Sequence, residues 1–584
     1  MSKRSFSPQD LPASKRLHTS HAKPLNRHLS FVASLYDELL LTIFSYLSWV
    51  DLCAAQLINR EWARLASDNE LWRKQYLLVY GRSRLRGSRG FTGRFDGREV
   101  RSLPARARTD GSAYRDWKWM FRISSNWRRG RCSVDELPRF PNLGSSQNPS
   151  GHSDDNNPHL LLTGPLTITT SSQPSYEPTI YVHDPATSYS VICKPRHTVC
   201  CSITALAVDQ SPPASSHTRL VSFLTTGEFF GYQLQHNPPS PSLEVFSFAC
   251  NQRSHPHPVV RAVYHHPLLV TLSGDFAISL YNLESDTARL TQTLSSFTSF
   301  PPVSLVLSTP SPSTYKLILT YAIPVYPQHW TAGATELIIS GPRMVVASGP
   351  NPPTPSDSSP SLENPSRSEN LAVLSTRTAR AVDVPFGWID ERKLRIMREQ
   401  WCRKVNRVAD IQTDGKWLIL APGDQLSGLE NGIASLASPS SPSYPPPMSK
   451  TNNTHDIAPN SLIASPLHSP TNLQLYRLIF PSQNSISSSP PRLSYVRTLH
   501  GQTGPIAALA LSDGRCVSLS LNGSIWVWDL EAGTGAQVAA ASLKSADGLL
   551  LGPDAKPIRG SVSFDERRLI ITLGDNVVVR RFDV

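Results

Sequence analysis

Apolar and polar residues along this chain follow two rhythms. Over SLYDELLLTIFSYLSWVDL (34–52), Leu39, Leu40, Ile43, Phe44 and Leu47 fall at i, i+1, i+4, i+5 and i+8. On a helix of 3.6 residues per turn they make one broad apolar face. Asp37 and Glu38 precede it, where negative charge suits the positive end of a helix. Ser48-Trp49-Val50-Asp51 has the spacing of a capping box and predicts a second helix at once. LCAAQLINREWARLA follows, anchored by Leu52, Leu57, Trp62 and Leu65. Ser67-Asp68-Asn69 predicts a break and a fresh cap before ELWRKQYLLVYG, with Leu71, Trp72, Tyr76 and Leu77. Three or four such short helices bury little surface by themselves, and modules of this size usually need a partner.

Further along, the rhythm shortens to runs of alternation. In HGQTGPIAALALSDGRCVSLSLNGSIWVWDLEAG an alternating strand at Ile506–Leu511 meets a turn at Ser512-Asp513-Gly514. Two more strands follow, joined by Asn522-Gly523, a strong hairpin signal, and Trp528-Asp529 closes the unit. Weaker copies read as SVSFDERRLIITLGDNVVVRRFDV, VVRAVYHHPLLVTLSGDFAISLYNLES, LVSFLTTGEFFGYQLQ and TIYVHDPATS, with VADIQTDGKWLILAPGD resumed by LQLYRLIF. Adding strands around Ser304–Ser340 brings the count near seven. A β-sandwich with long loops is the alternative.

Two insertions rich in Ser, Pro and Asn, near 347–370 and 428–470, cannot bury a core and are expected to be disordered. Between them, Ile389, Leu394, Met397, Trp401 and Val405 recur at roughly helical spacing among basic residues. A helix lying on one face of the fold is the economical reading; a basic groove for a phosphorylated ligand is the sharper one.

Composition narrows the class. The 584 residues exceed one core, and 50 prolines with only 17% charged residues suit β-rich units separated by polar insertions. No window approaches eighteen consecutive apolar residues, and the first thirty lack an apolar centre, so neither a membrane span nor secretion is expected. The eight cysteines, at 53, 132, 193, 200, 201, 250, 402 and 516, form no CxxC pair. Reduced thiols in the cytoplasm or nucleus are expected, and no metal. The net charge of +12 is concentrated: 81–131 holds fifteen Lys/Arg against four Asp/Glu. That segment reads as a solvated basic linker or as a surface for polyanions. Lys3-Arg4 and Lys15-Arg16 hint at nuclear import. No nucleotide-binding glycine loop, HExxH or GxSxG occurs. His255-Pro256-His257 and His265-His266 have no acidic or thiol neighbours and read as loop histidines. Cys200-Cys201 on a strand should point to opposite faces. Neither an enzyme nor a cofactor is expected.

LYDELLLTIFSYL followed by DLCAAQLINREWARLASDNELWRKQY closely resembles the F-box. Two positions depart from it: Tyr36 stands where proline is usual, forfeiting a preset φ, and Asn59 where cysteine is common. The resemblance implies docking on a Skp-type adaptor, and through it on cullin and RING subunits. The implied adaptor contacts are Leu35, Leu39, Leu40, Ile43, Phe44, Leu47 and Leu52, with Trp62 and Trp72 holding the module's own core. YRDWKWMFRISSNWRRGRC resembles the connector that some F-box proteins place before a propeller, with its helix ending at Gly130. The Trp528-Asp529 unit resembles a complete WD repeat. Asn522 replaces the family's usual aspartate there, so the buried hydrogen-bond network of a strong repeat is expected to be incomplete.

The expected fold is multidomain, α then β. A basic tail (1–33) leads to a small three-helix F-box (34–80) and a basic linker with a helix (81–131). A decorated, seven-bladed, WD-repeat-like β-propeller then takes 132–584. The expected function is substrate receptor of an SCF-type ubiquitin ligase, holding a protein target of unknown identity, phosphorylated or not. The alternatives are a scaffold acting outside the ligase and a basic nucleic-acid-associated protein.

Overall fold

The computed structural model describes residues 35–81, 106–107, 113–114, 116–137 and most of 158–341, 371–423, 471–540 and 560–584. The expected tail (1–33), most of the basic segment, both insertions and His255 lie outside the described residues. The chain divides into two compact units between Val79 and Tyr80.

In the first unit side-chain caps set the starts of all helices but the first. Four helices form: α1 Asp37–Phe44, α2 Trp49–Ala55, α3 Arg60–Leu65 and α4 Asn69–Tyr76. Ser48 and Asp51 close the capping box of α2 in both directions. Asp68 accepts from the amides of Glu70 at 3.0 Å and Leu71 at 3.2 Å. Asn59 accepts from Trp62 N at 2.8 Å, and this additional cap splits α2 from α3, giving the higher of the three or four helices expected. Each such cap contributes about 1 kcal/mol. Leu40, Phe44, Leu52, Leu65, Leu71, Trp72 and Tyr76 form the buried interior. Trp72 Nε1 donates to Ala66 O at 2.8 Å, and Gln75 Nε2 donates to Leu47 O at 2.8 Å.

The second unit is a ring of seven four-stranded antiparallel sheets. Blade 1 runs from His159 to Ile192, blade 2 from Ile203 to Phe248, and blade 3 from Val259 to Ser295. Blade 4 runs from Phe300 to Arg380, blade 5 from Val408 to Leu499, and blade 6 from Ile506 to Ala539. Blade 7 takes three strands from Val562–Arg581 and its fourth from Ser133–Leu137. First strands touch in sequence around the ring, and that of blade 7 returns to that of blade 1. The second strands of blades 1 and 5, Leu166–Thr170 and Trp417–Pro422, are buried along their whole length because neighbouring blades cover both faces. That double burial lets Trp417–Pro422 (WLILAP) be apolar throughout, whereas Leu166–Thr170 (LTITT) buries threonines between its apolar residues.

A repeat appears in the strand register. In six blades the second strand carries a buried hydroxyl: Thr169, Ser222, Thr271, Thr320, Ser518 and Thr572. Two residues beyond its third-strand partner stand His183, Tyr232, Tyr281, Glu336, Trp528 and Val579 respectively. In blade 5 the hydroxyl position is taken by the apolar Leu420, paired with Gln474, and the residue two beyond is again aromatic, Tyr476. In blade 6 Trp528 Nε1 donates to Ser518 Oγ at 2.9 Å, and Ser518 Oγ donates to Gln502 Oε1 at 2.7 Å. Gln502 Nε2 in turn reaches Ser520 Oγ. The buried network expected to be incomplete therefore runs through Gln502, and Asn522 only trims its rim, accepting from Ser524 N at 3.0 Å.

Closure of the ring is pinned from outside. Ser133–Leu137 pairs with Val577–Arg581. Just before it, α5 (Trp117–Arg129) lies against blades 6 and 7. Trp127 stacks on Phe582 with centroids 3.6 Å apart, and its Nε1 donates to Glu566 O at 2.9 Å. Asn126 Nδ2 donates to Phe582 O at 2.9 Å. Gly130, at φ +68°, ends α5 so close to blade 6 that a Cβ would lie 2.6 Å from Gln537 O. Among the described residues no helix is long and apolar enough to cross a membrane. Replacing Trp127 by Ala should destabilise the propeller by about 3–5 kcal/mol, seen as a lower thermal midpoint of the full chain.

Candidate functional site

On the helical unit the apolar stripe of α1 has two edges, each an i, i+4 pair. Leu40 and Phe44 turn inward, and Phe44 meets the edge of Trp62 at 5.2 Å. Leu39 and Ile43 turn outward, 51% and 47% exposed. Of the seven residues expected to meet an adaptor, Leu40, Phe44 and Leu52 are therefore inside the unit's own core. Leu35 and Leu47 are half-buried, and only Leu39 and Ile43 offer large exposed area. Trp72 is buried and Trp62 half-buried, with Trp62 packed on Phe44. Tyr36, Tyr46, Val50, Leu57 and Ile58 add exposed apolar surface beyond the expected contact residues. Leu57, expected from its spacing to be an anchor, is exposed because α2 ends at Ala55 and the chain turns away. An interior this small beside so many uncovered apolar side chains is the mark of an interaction surface.

Tyr36 is the N-cap of α1, at φ −68° with no side-chain capping bond. It holds the angle a proline ring would impose without the ring's constraint on the unfolded chain. Arg64 ties the start of α1 to α3 through Asp37 at 2.6 Å, an exposed pair that contributes little.

The first strands of the propeller line the axis of the ring, and their polar groups staple one blade to the next. Asp410 of blade 5 accepts from Leu509 N of blade 6 at 2.8 Å and from Ile411 N at 2.7 Å. Burial pushes its carboxyl up, against the pull of Arg261. His159 of blade 1 meets the Ile203 carbonyl of blade 2 at 2.9 Å; a carbonyl only accepts, so Nε2 carries the hydrogen. Burial lowers the His159 pKa to about 4, against the bond to Ile203 and with Arg261 adding to the fall.

Three arginines of the propeller segment, Arg253, Arg261 and Arg377, are of the residue type that pairs with a phosphorylated ligand. Arg261 is exposed on the first strand of blade 3. Arg377 is committed: with Lys316 it surrounds the buried Glu336 carboxylate, and it donates to Pro481 O at 2.6 Å. Arg253 lies outside the described residues. His266 takes its backbone bond to Asp209 at 3.0 Å and faces Tyr264 Oη at 3.2 Å. Cys200 is exposed and Cys201 buried, opposite faces of the chain. Burial raises the Cys201 thiol to about 11, which keeps it a poor nucleophile. No group of three potential metal ligands occurs among the described residues.

Two family models match the chain. The F-box-like family matches residues 33–78, and a family described as the F-box protein pof12 beta-propeller matches residues 180–370. F-box/LRR-repeat protein 5 of Xenopus laevis is 34% identical over 89 residues, covering 15% of this chain and 13% of that protein. An F-box protein of Saccharomyces cerevisiae is 28% identical over 127 residues, 19% of this chain and 18% of its own length. The chain thus spans less than a fifth of either relative. Among solved structures, the WD40 beta propeller domain of Doa1 aligns over 73% of this chain and 93% of its own, at 11% identity and a TM-score of 0.32. The computationally designed Ika8 protein aligns over 73% and 96%, at 11% identity and a TM-score of 0.33.

Substituting Tyr36 by Pro should stabilise α1 by about 0.4–1 kcal/mol, slowing its amide exchange roughly two- to fivefold. Acid should weaken the propeller through His159. The folded state holds that ring neutral down to about 4, whereas the unfolded chain takes up a proton near 6.5. Stability is therefore full above 6.5 and falls as pH drops through this window. His159→Gln should flatten that part of a urea-midpoint profile.

Proposed function

From the pairing of an F-box-like segment with a seven-bladed propeller, we propose that the chain is the substrate-recognition subunit of an SCF-type ubiquitin ligase. The helical unit binds a Skp-type adaptor, which brings cullin and RING subunits. The propeller binds the protein to be modified. The chain itself performs no bond chemistry. It raises the local concentration of the target beside the ubiquitin-loaded enzyme and fixes its orientation.

The observation that carries this reading is the outward edge of α1. Leu39 and Ile43 are exposed on a unit whose inward apolar residues already fill a closed interior. An isolated domain gains nothing from leaving them in water, while an adaptor groove that covers them gains about 25 cal/mol for each Å² removed from solvent. The matches to the F-box-like model and to an F-box protein propeller family support the same reading.

The test is capture of the full chain by a purified Skp-type adaptor. Leu39→Asp with Ile43→Asp should abolish capture and leave the circular dichroism unchanged, because both side chains already face solvent. Phe44→Asp is the wrong probe, since it unfolds the unit from inside. An unmodified chain that the adaptor does not retain would overturn the proposal.

A further inference from the structure

Between blades 4 and 5 the chain spends residues on something the ring does not need. Helix α6, Glu391–Trp401, sits in that connection with no buried residue. It is nonetheless held in place. Asp390 caps it by accepting from Lys393 N at 2.7 Å. Gln400 and Asp383 exchange two hydrogen bonds, each 2.9 Å. Past the end of the helix, Val405 and Trp330 pair backbone to backbone at 2.6 and 2.9 Å. Arg403 lies over the Tyr495 ring at 4.1 Å. A short helix that buries nothing is marginal by itself, so these ties hold its shape for the sake of its surface.

That surface is cationic with apolar points. Residues 390–407 carry seven Lys/Arg against three Asp/Glu. Arg392, Lys393, Arg395 and Arg398 are exposed and take no part in the ion pairs among the described residues, whereas Arg403 stands 3.9 Å from Glu399. Arg392, Arg395 and the half-exposed Ile396 fall at i, i+3 and i+4, on one face. Trp388, two residues before the cap, is 94% exposed, more than any other large apolar side chain among the described residues.

We infer that α6 and Trp388 form the docking surface for an acidic segment of the target protein, one that also carries apolar side chains. The inference rests on the receptor reading above and adds to it the place and chemistry of target binding. Carboxylates of the segment pair with Arg392 and Arg395, and its apolar side chains cover Trp388 and Ile396. A lipid surface fits less well. Leu394 and Ile396 are two residues apart, about 200° around the helix, so the exposed apolar groups form no continuous stripe to immerse. A polyanionic nucleic acid fits less well too, because Glu399 shares the face of Arg392 and Arg395.

The test uses the full chain and a short labelled peptide of alternating Glu and Leu, read by fluorescence anisotropy at low and high salt. A Lys-Leu peptide and phosphatidylserine vesicles run alongside. The Glu-Leu peptide should bind, more weakly in high salt. Arg392→Glu with Arg395→Glu should weaken it about tenfold, the sum of two ion pairs, and should capture the Lys-Leu peptide instead. Trp388→Ala should weaken binding without changing its salt dependence. No binding of the Glu-Leu peptide, or equal binding by the charge-reversed chain, overturns the inference. So does tight vesicle binding that the reversal abolishes. Every variant is also presented to the adaptor. Adaptor capture without peptide binding sinks this inference alone, and peptide binding without adaptor capture sinks the receptor reading alone.

Discussion

The ring depends on one antiparallel pairing between segments more than four hundred residues apart. Each blade is a sheet with two exposed edges in principle, and a propeller stays closed only if its last blade is sealed to its first. Here Ser133–Leu137 supplies the outer strand of a blade whose other strands end at Arg581. Everything around this seam reinforces it. Trp127 is stacked on Phe582 and bonded to Glu566, Asn126 is bonded to the chain's end, and Gly130 lets α5 approach the backbone of blade 6. Arg568 of blade 7 adds bonds to Gly164 and Leu166 of blade 1. The inter-blade staples of Asp410 and His159 then work within a ring whose circumference is already set.

How much of this could be seen beforehand differs by element. The helical unit was legible because its signals are local: Ser48 with Asp51, and Asp68 before α4, announce helix starts from adjacent residues. Blade 6 was legible because its turn glycines and Trp528 sit close together in sequence. The other blades hid their repeat. The register position held by Trp528 is filled by Tyr232, Tyr281, Tyr476, and in blade 4 by Glu336 with its two cations. These choices share a place in space, not a letter. Only the pairing of strands shows that a hydroxyl on the second strand recurs in six blades.

The candidate surface was half legible for a related reason. Periodicity located the stripe of α1 but could not say that it has two edges. Leu40 and Leu39 are neighbours in sequence with opposite fates, one buried in the core that holds Phe44, the other in water. Which edge turns inward is decided by α3 and α4, which arrive about twenty and more residues later. The cationic helix between blades 4 and 5 was visible as a pattern. Its surface character was not, because burial is a property of the surroundings.

The distant seam also imposes an order in time. During synthesis the helical unit is complete once residue 79 has emerged, but strand 133–137 has no partner until residues 577–581 exist. At ordinary elongation rates that interval is roughly half a minute to a minute and a half. Throughout it the nascent chain carries a finished helical module beside a row of open-edged blades. The apolar edge of α1 is thus on offer while the ring is still unclosed, and a partner that covers it during translation meets a chain whose propeller has yet to be sealed.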